Sequence, residues 1–315
     1  MTDTSTGERL GRATVGAGAL TPNVVTSFRG VAGHAATGDS LGPLKDLPGF
    51  WEGTGFSLIA RPDFDSANED GFFLELNLLR ETIEFTTIGS PIQNRGSVQD
   101  DVALFGVTYL HRVTDATTGG ALHIEPGLWL NVPATTVPAS DASIARLSTI
   151  PHGNSVCAVG QAQYVVPDGP PEIPPANTVP FPIGGPAPAP GTKNPFRAYD
   201  LSAQTRYRTD PVPASVTQAI VDDPNTAVRD ALAGHDLKHI TRLIVSTESS
   251  ADVGNIPFIT QNANAVSLES VFAIERVQGH GGTEFLQLQY SQTALLQFRG
   301  RNWPHVTVGT LIKAF

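Results

Sequence analysis

Thr283-Glu-Phe-Leu-Gln-Leu-Gln-Tyr-Ser-Gln-Thr-Ala-Leu-Leu-Gln-Phe298, a turn at Gly300, and then Asn302-Trp-Pro-His-Val-Thr-Val-Gly-Thr-Leu-Ile312 form the stretch that decides the fold class. Both halves alternate apolar and polar residues, which is the period of a β-strand. The second half carries one histidine, His305, directly after Pro304. In a closed barrel every second residue of such a strand points inward. An inward histidine is either an ordinary buried polar residue or a metal ligand, and the functional reading turns on which.

Working outward, similar short β-branched runs recur along the chain. Phe50–Ile59 reads as a first strand, with Gly53 and Gly55 on one side where the backbone can approach closely. Phe72–Leu79, Thr82–Ile88, Val102–Val113, Ala121–Val132, Ser143–Ile150 and Val156–Val166 follow as an antiparallel meander. Leu41, Leu44 and Leu47 recur at helical spacing and predict a short helix before the first strand. The pattern breaks at Pro167: eleven prolines lie between Pro167 and Pro195 and read as an extended arm. Ser215 is placed to cap a helix over Val216–Val221, and Asp223-Pro224 to start another over Asn225–Lys238. Strands resume at Thr241–Thr247, Val266–Val277 and the terminal pair. The class is therefore mostly β, with a single antiparallel, closed barrel of roughly ten strands. Residues 1–40 read as a flexible segment, and 41–315 as one barrel domain interrupted by a Pro-rich and helical insertion at about 167–260.

Composition narrows the function classes. The net charge is −10 and no Lys/Arg run interleaves with aromatics, so neither nucleic acid nor an anionic membrane is the expected partner. No apolar run approaches about 18 residues. The polar start Met1-Thr-Asp-Thr-Ser is unlike a signal peptide, and a single cysteine, Cys157, fits a reducing cytoplasm. Cys157 lies in mid-strand and reads as a small buried hydrophobe.

Several motifs carry chemistry on paper. Gly38-Asp-Ser-Leu41 with Asp236 and His239 imitates a hydrolase triad, but the apolar strand that such a serine needs before it is missing. His235 and His239 stand four apart on the predicted helix, a zinc-compatible spacing without an adjoining Glu. His123 and Glu125 are two apart on a strand and so share one face, either as a pocket pair or as a cross-strand polar contact.

Motif order adds a resemblance. Leu41–Leu47 precedes Gly49-Phe-Trp-Glu-Gly-Thr-Gly55; His123-Ile-Glu-Pro-Gly127 follows, then Ala145–Gly153, and Pro304-His305 comes near the end. In this order the chain resembles the nitrobindins, haem-binding β-barrels of the calycin type. The resemblance covers roughly 41–166 and 264–315; Phe56–Pro62 departs from the usual continuation of the first motif, and the insertion has no counterpart in small nitrobindins. It implies haem b as cofactor, His305 as proximal iron ligand and His123 near the distal side.

Haem needs an apolar slot and one nitrogen donor. Trp51, Phe56, Phe105, Trp129, Leu286, Leu288, Leu295 and Trp303 are the candidate walls, with Trp51, His123, Trp303 and His305 as the cofactor-contacting set. The expected activity is handling of a diatomic gas or reactive nitrogen or oxygen species at the iron. The alternatives are a peroxidase-like enzyme, with His123 as the catalytic acid–base, and a metal-free, lipocalin-like carrier of an apolar molecule. The Pro-rich arm has three candidate roles: wrapping a second subunit in a homodimer, covering the pocket or binding a partner.

Overall fold

The computed structural model describes residues 39–189, 191–248, 252–279 and 282–314. The expected loose segment at 1–40 falls almost wholly outside them. Ten long strands close on themselves: β1 (Gly49–Pro62), β2 (Phe72–Thr87), β3 (Val102–Asp115), β4 (Ala121–Val132), β5 (Ser143–Ile150), β6 (Asn154–Val165), β7 (Asp236–Ser246), β8 (Asn264–Gln278), β9 (Glu284–Phe298) and β10 (Arg301–Lys313). Each is antiparallel to the one before it. The ring is sealed where β10 pairs β1, from Trp51↔Lys313 to Leu58↔Val306. Closure leaves no free edge in the ring, which removes the usual route to edge-to-edge aggregation.

Side-chain alternation sorts the buried residues into two clusters. One takes residues from all ten strands, including Trp51, Ile83, Tyr109, Trp129, Ile144, Ala158, Leu243, Phe272, Leu288 and Leu311. Only the inside of the ring is reached by every strand, so this is the interior. Leu41, Leu44 and Leu47 join it from the short turn of helix at Gly42–Leu44 and plug that end. The second cluster takes Phe56, Leu58, Phe72, Leu74, Val306 and Val308 from the outer faces of β1, β2 and β10 and Trp303 from the start of β10, with Tyr199, Val216, Val221 and Val228 from the insertion. The insertion thus packs as a second layer on one outer flank of the barrel.

Inside the insertion, α1 (Gln218–Asp222) is capped by Thr217, whose side chain accepts from Ile220 N, rather than by Ser215. Helix α2 (Asn225–Leu232) is shorter than predicted. Gly234 adopts φ +79°, a left-handed conformation that ends helices, and the chain turns directly into β7 at Asp236. Two corrections follow. The barrel resumes at Asp236, well inside the 167–260 stretch assigned to the insertion. His239 lies on β7 and His235 in the turn before it, so the helical pairing of the two does not exist. Cys157 is also corrected: it is exposed, because its neighbours Val156 and Ala158 take the inward positions of β6.

Glycine sets the close approaches. A Cβ on Gly55 would fall on the Glu81 Oε1 and on the Val308 carbonyl, and one on Gly309 on the ring of Tyr290. Gly55 on β1 therefore leaves room for an inward carboxyl, and Gly309 on β10 for an inward tyrosine. Gly55→Ala is expected to lower the unfolding free energy by about 1–3 kcal/mol through overpacking. Gly254→Ala, where the nearest atom is 3.7 Å away, is expected to stay within about 0.5 kcal/mol. Denaturant midpoints at constant m-value check both.

Candidate functional site

The middle of the barrel is polar, which no apolar-core rule anticipates. Arg146 on β5 points inward and is 2% exposed. Its Nη2 donates to Glu125 Oε1 at 2.8 Å and its Nε to the Tyr109 hydroxyl at 3.0 Å. Its Nη1 donates to Ser270 Oγ at 3.0 Å and Gln292 Oε1 at 2.7 Å. The guanidinium also lies 5.1 Å from the Phe272 ring and 5.7 Å from the Trp129 ring. The Tyr109 hydroxyl in turn donates to Glu125. Burial opposes ionisation of Glu125, but Arg146, with hydrogen bonds from His123 and Tyr109, holds its carboxyl well below the usual range. An inward charge is tolerable only when paired and fully hydrogen-bonded, as this one is.

A second set lies beside it. Glu81 Oε2 accepts from the Tyr290 hydroxyl at 2.6 Å and meets His111 Nε2 at 2.7 Å. Glu81 Oε1 is buried without a partner among the described residues, in the cradle left by Gly55 and Gly309. From His111 a row of imidazoles leads towards the rim. His111 and His123 are 6.4 Å apart by ring centroids, and His123 and His152 are 6.1 Å apart. His123 Nε2 is 3.3 Å from Glu125 Oε2, so the His–Glu pair foreseen on one strand face is formed, and it faces inward.

The end opposite the leucine plug is a mouth. Its inward residues Gln292, Ala294, His305, Thr307 and Ile59 are only half-buried although they lie within the ring. His305 sits opposite Ala294 across the β9–β10 ladder. The β1–β10 ladder ends at Leu58↔Val306, and the imidazole extends it: Nε2 bonds the Ala60 carbonyl at 2.7 Å. A carbonyl only accepts, so Nε2 carries the hydrogen. Desolvation pushes the ring pKa from 6.5 down to about 4, so the imidazole is neutral at neutral pH and Nδ1 holds a free lone pair.

The remaining residues of the expected set disperse. Trp51 is inside but at the plugged end, where its Nε1 donates to the Leu47 carbonyl at 2.8 Å. Trp303, in step with His305 on β10, is buried at the open end of the barrel, stacked on Phe298 at 4.8 Å and packed on Phe72 at 4.5 Å. Phe56 is on the outer face of β1, while Trp129 and Leu288 are interior. His123, Trp303 and His305 are thus the members that share the open half of the barrel. Arg146, Tyr109, Glu81, His111 and Tyr290 were missed. Their signal was phase: Glu81 stands in step with Ile83 and Phe85, and Arg146 in step with Ile144. Among the described residues no group of three or more His, Cys, Asp or Glu could hold a metal ion by itself, and no helix is long and apolar enough to cross a membrane.

No family model and no curated relative matches the chain. Its structure is similar to the crystal structure of Rv2717c from M. tuberculosis, with 13% sequence identity and a TM-score of 0.42, over 87% of this chain and 98% of that one.

Arg146→Met leaves the Glu125 charge buried and unpaired, and is expected to cost about 3–5 kcal/mol. The Arg146→Met/Glu125→Leu double variant is expected to recover part of that loss. Because the Glu125 pKa is lowered in the folded state, its contribution is full above the ordinary carboxylate range and disappears as pH falls through the folded value. Glu125→Gln is expected to flatten that acid limb in a plot of stability against pH.

Proposed function

We propose that the chain is a haem-binding β-barrel that takes the group at the open mouth and ligates its iron through His305. One observation carries the reading. The last barrel strand presents a neutral, half-buried imidazole to the mouth, with one nitrogen bonded to the Ala60 carbonyl and the other free. A metal-ligating histidine characteristically donates its other N–H to a backbone carbonyl or carboxylate, which fixes its tautomer and orientation. Here the nitrogen left for a metal is Nδ1. Ile59 and Ala294 give the same rim an apolar border. The donor chemistry and the apolar rim fit; Trp51 stands at the plugged end, away from His305, and the polar layer around Arg146 limits the depth of the slot.

Bound there, the iron supplies a coordination position for a diatomic or peroxide ligand. This chain's own residues do the rest. Ala60 orients the donor, and the hydrogen-bonded barrel centre excludes water from the inner side. His123, tied to Glu125 and half-exposed at the same mouth, is the group positioned to give or take a proton. Gas or reactive-nitrogen handling is the first reading. The His123–Glu125 pair favours peroxidase-like chemistry as the second.

Titration with haemin tests this. The wild-type protein is expected to give a sharp Soret band, His305→Ala to lose or shift it, and added imidazole to restore it. The folded ring resists protonation to about pH 4, so the wild-type band is expected to survive well below pH 6.5. The unfolded ring takes its proton near 6.5, so stability itself declines as pH drops from about 6.5 towards 4. His123→Ala is expected to keep the band and to slow any reaction with peroxide. A band indifferent to His305→Ala would remove the ligand assignment. No band in the wild type would leave the metal-free carrier.

A further inference from the structure

A cavity of about 720 Å³ lies between the outer face of β7, β8 and β9 and the proline-rich strap at 171–187. Ile244, Val271 and Ala273 form its sheet wall, and Pro174, Pro175 and Phe181 its roof. These are outward positions, out of step with Leu243, Phe272 and Ile274 in the interior.

The roof is pinned on several sides. Asn225 Nδ2 donates to the Pro174 carbonyl at 2.8 Å and Arg229 Nη1 to the Ile173 carbonyl at 3.0 Å. Asp223 Oδ1 accepts from Ala176 N at 2.8 Å. At the far side Phe181–Pro182 pairs with Asn302 and Arg301 at the start of β10. Prolines offer no N–H and lose little entropy on being fixed. The strap is therefore a preformed roof, and a cavity of this size with mixed walls is of ligand-binding dimensions.

Its polar side is lopsided. Glu275 is 1% exposed and faces the cavity from β8. Gln287 Nε2 donates to its Oε2 at 2.9 Å, while Oε1 has no hydrogen-bond partner among the described residues. Glu172, Glu248 and Glu269 also line the space, against Arg242 as the cation, and Arg242 is not within ion-pair distance of Glu275. The Asn225 and Gln289 side-chain amides spend their N–H groups on protein carbonyls and on Thr310, and their buried oxygens have no partner among the described residues. Acceptors in excess of donors call for a ligand that brings donors.

We propose that this cavity is a second binding site, separate from the barrel mouth, for a hydrophobic amine: its apolar body lies between the proline strap and the β8 wall, and its ammonium group bonds the free oxygen of Glu275. Desolvation raises the Glu275 pKa to about 7, with Gln287 and Arg242 acting against the rise. An ammonium group placed there draws the carboxyl to its ionised form. Amine affinity accordingly falls as pH drops below about 7, with Glu172, Glu248, Glu269 and Arg242 as the other charges facing the space.

The test is calorimetric titration of the haem-free protein with 2-(1-naphthyl)ethylamine, 1-naphthylacetate and 1-ethylnaphthalene. The amine is expected to bind more tightly than the other two by about tenfold or more. Glu275→Gln is expected to remove that advantage and its pH dependence. Ala273→Phe, which fills the hollow, is expected to abolish binding of all three with little change in thermal midpoint, while His305→Ala leaves binding untouched. Tighter binding of the acetate, an unchanged affinity in Glu275→Gln, or no binding to the wild type would each overturn the proposal.

Discussion

The pairing of Arg146 with Glu125 inside the barrel constrains everything around it. A guanidinium and a carboxyl removed from water are costly unless every donor and lone pair finds a partner. Five side chains from four other strands converge to satisfy Arg146: Tyr109, Glu125, Ser270, Gln292 and the Phe272 ring. That convergence ties β3, β4, β8 and β9 to β5 at one level. It also separates an apolar floor, closed by Leu41, Leu44 and Leu47, from a wetter mouth that carries His123 and His305.

The glycines and tyrosines belong to the same constraint. Gly127 lies under Tyr109, where a Cβ would be 2.6 Å from the ring, and Gly309 lies under Tyr290. Each tyrosine turns its hydroxyl to a carboxyl, Tyr109 to Glu125 and Tyr290 to Glu81. A ring over a strand glycine restores the packing that the missing side chain gives up. The sequence Gly-Thr-Gly of β1 is thus explained by its two neighbouring strands rather than by its own: Gly55 makes room for Glu81 of β2, and Gly53 lies against the Thr310 carbonyl of β10.

The insertion adds a second, independent architecture. Its aromatic residues Phe196 and Tyr199 meet Phe72 and Trp303 where β2 and β10 begin, and its prolines roof the outer cavity. One polypeptide therefore carries two candidate sites of different character. The barrel mouth offers a neutral imidazole at an apolar rim; the outer cavity offers acceptors under an apolar roof.

Period alone determined the mostly β class, because a two-residue alternation admits no other regular structure; it divided β2 into Phe72–Leu79 and Thr82–Ile88 and left the facing of His305 open. The pairing of His123 with Glu125 was legible for the same reason. Other features were decided only by closure of the ring. Trp51 and Trp303 look alike in sequence, yet the register puts one at the plugged end and the other at the open end. Helix α2 stopped at Gly234 because a left-handed residue costs glycine little and ends the helix there. The partners of Arg146 are scattered over more than a hundred positions of sequence, and Glu275 meets Gln287 across the β8–β9 ladder. Only the folded ring brings them within 3 Å or leaves one of their oxygens facing a cavity, because burial and partnership are properties of the assembled packing and not of any one strand.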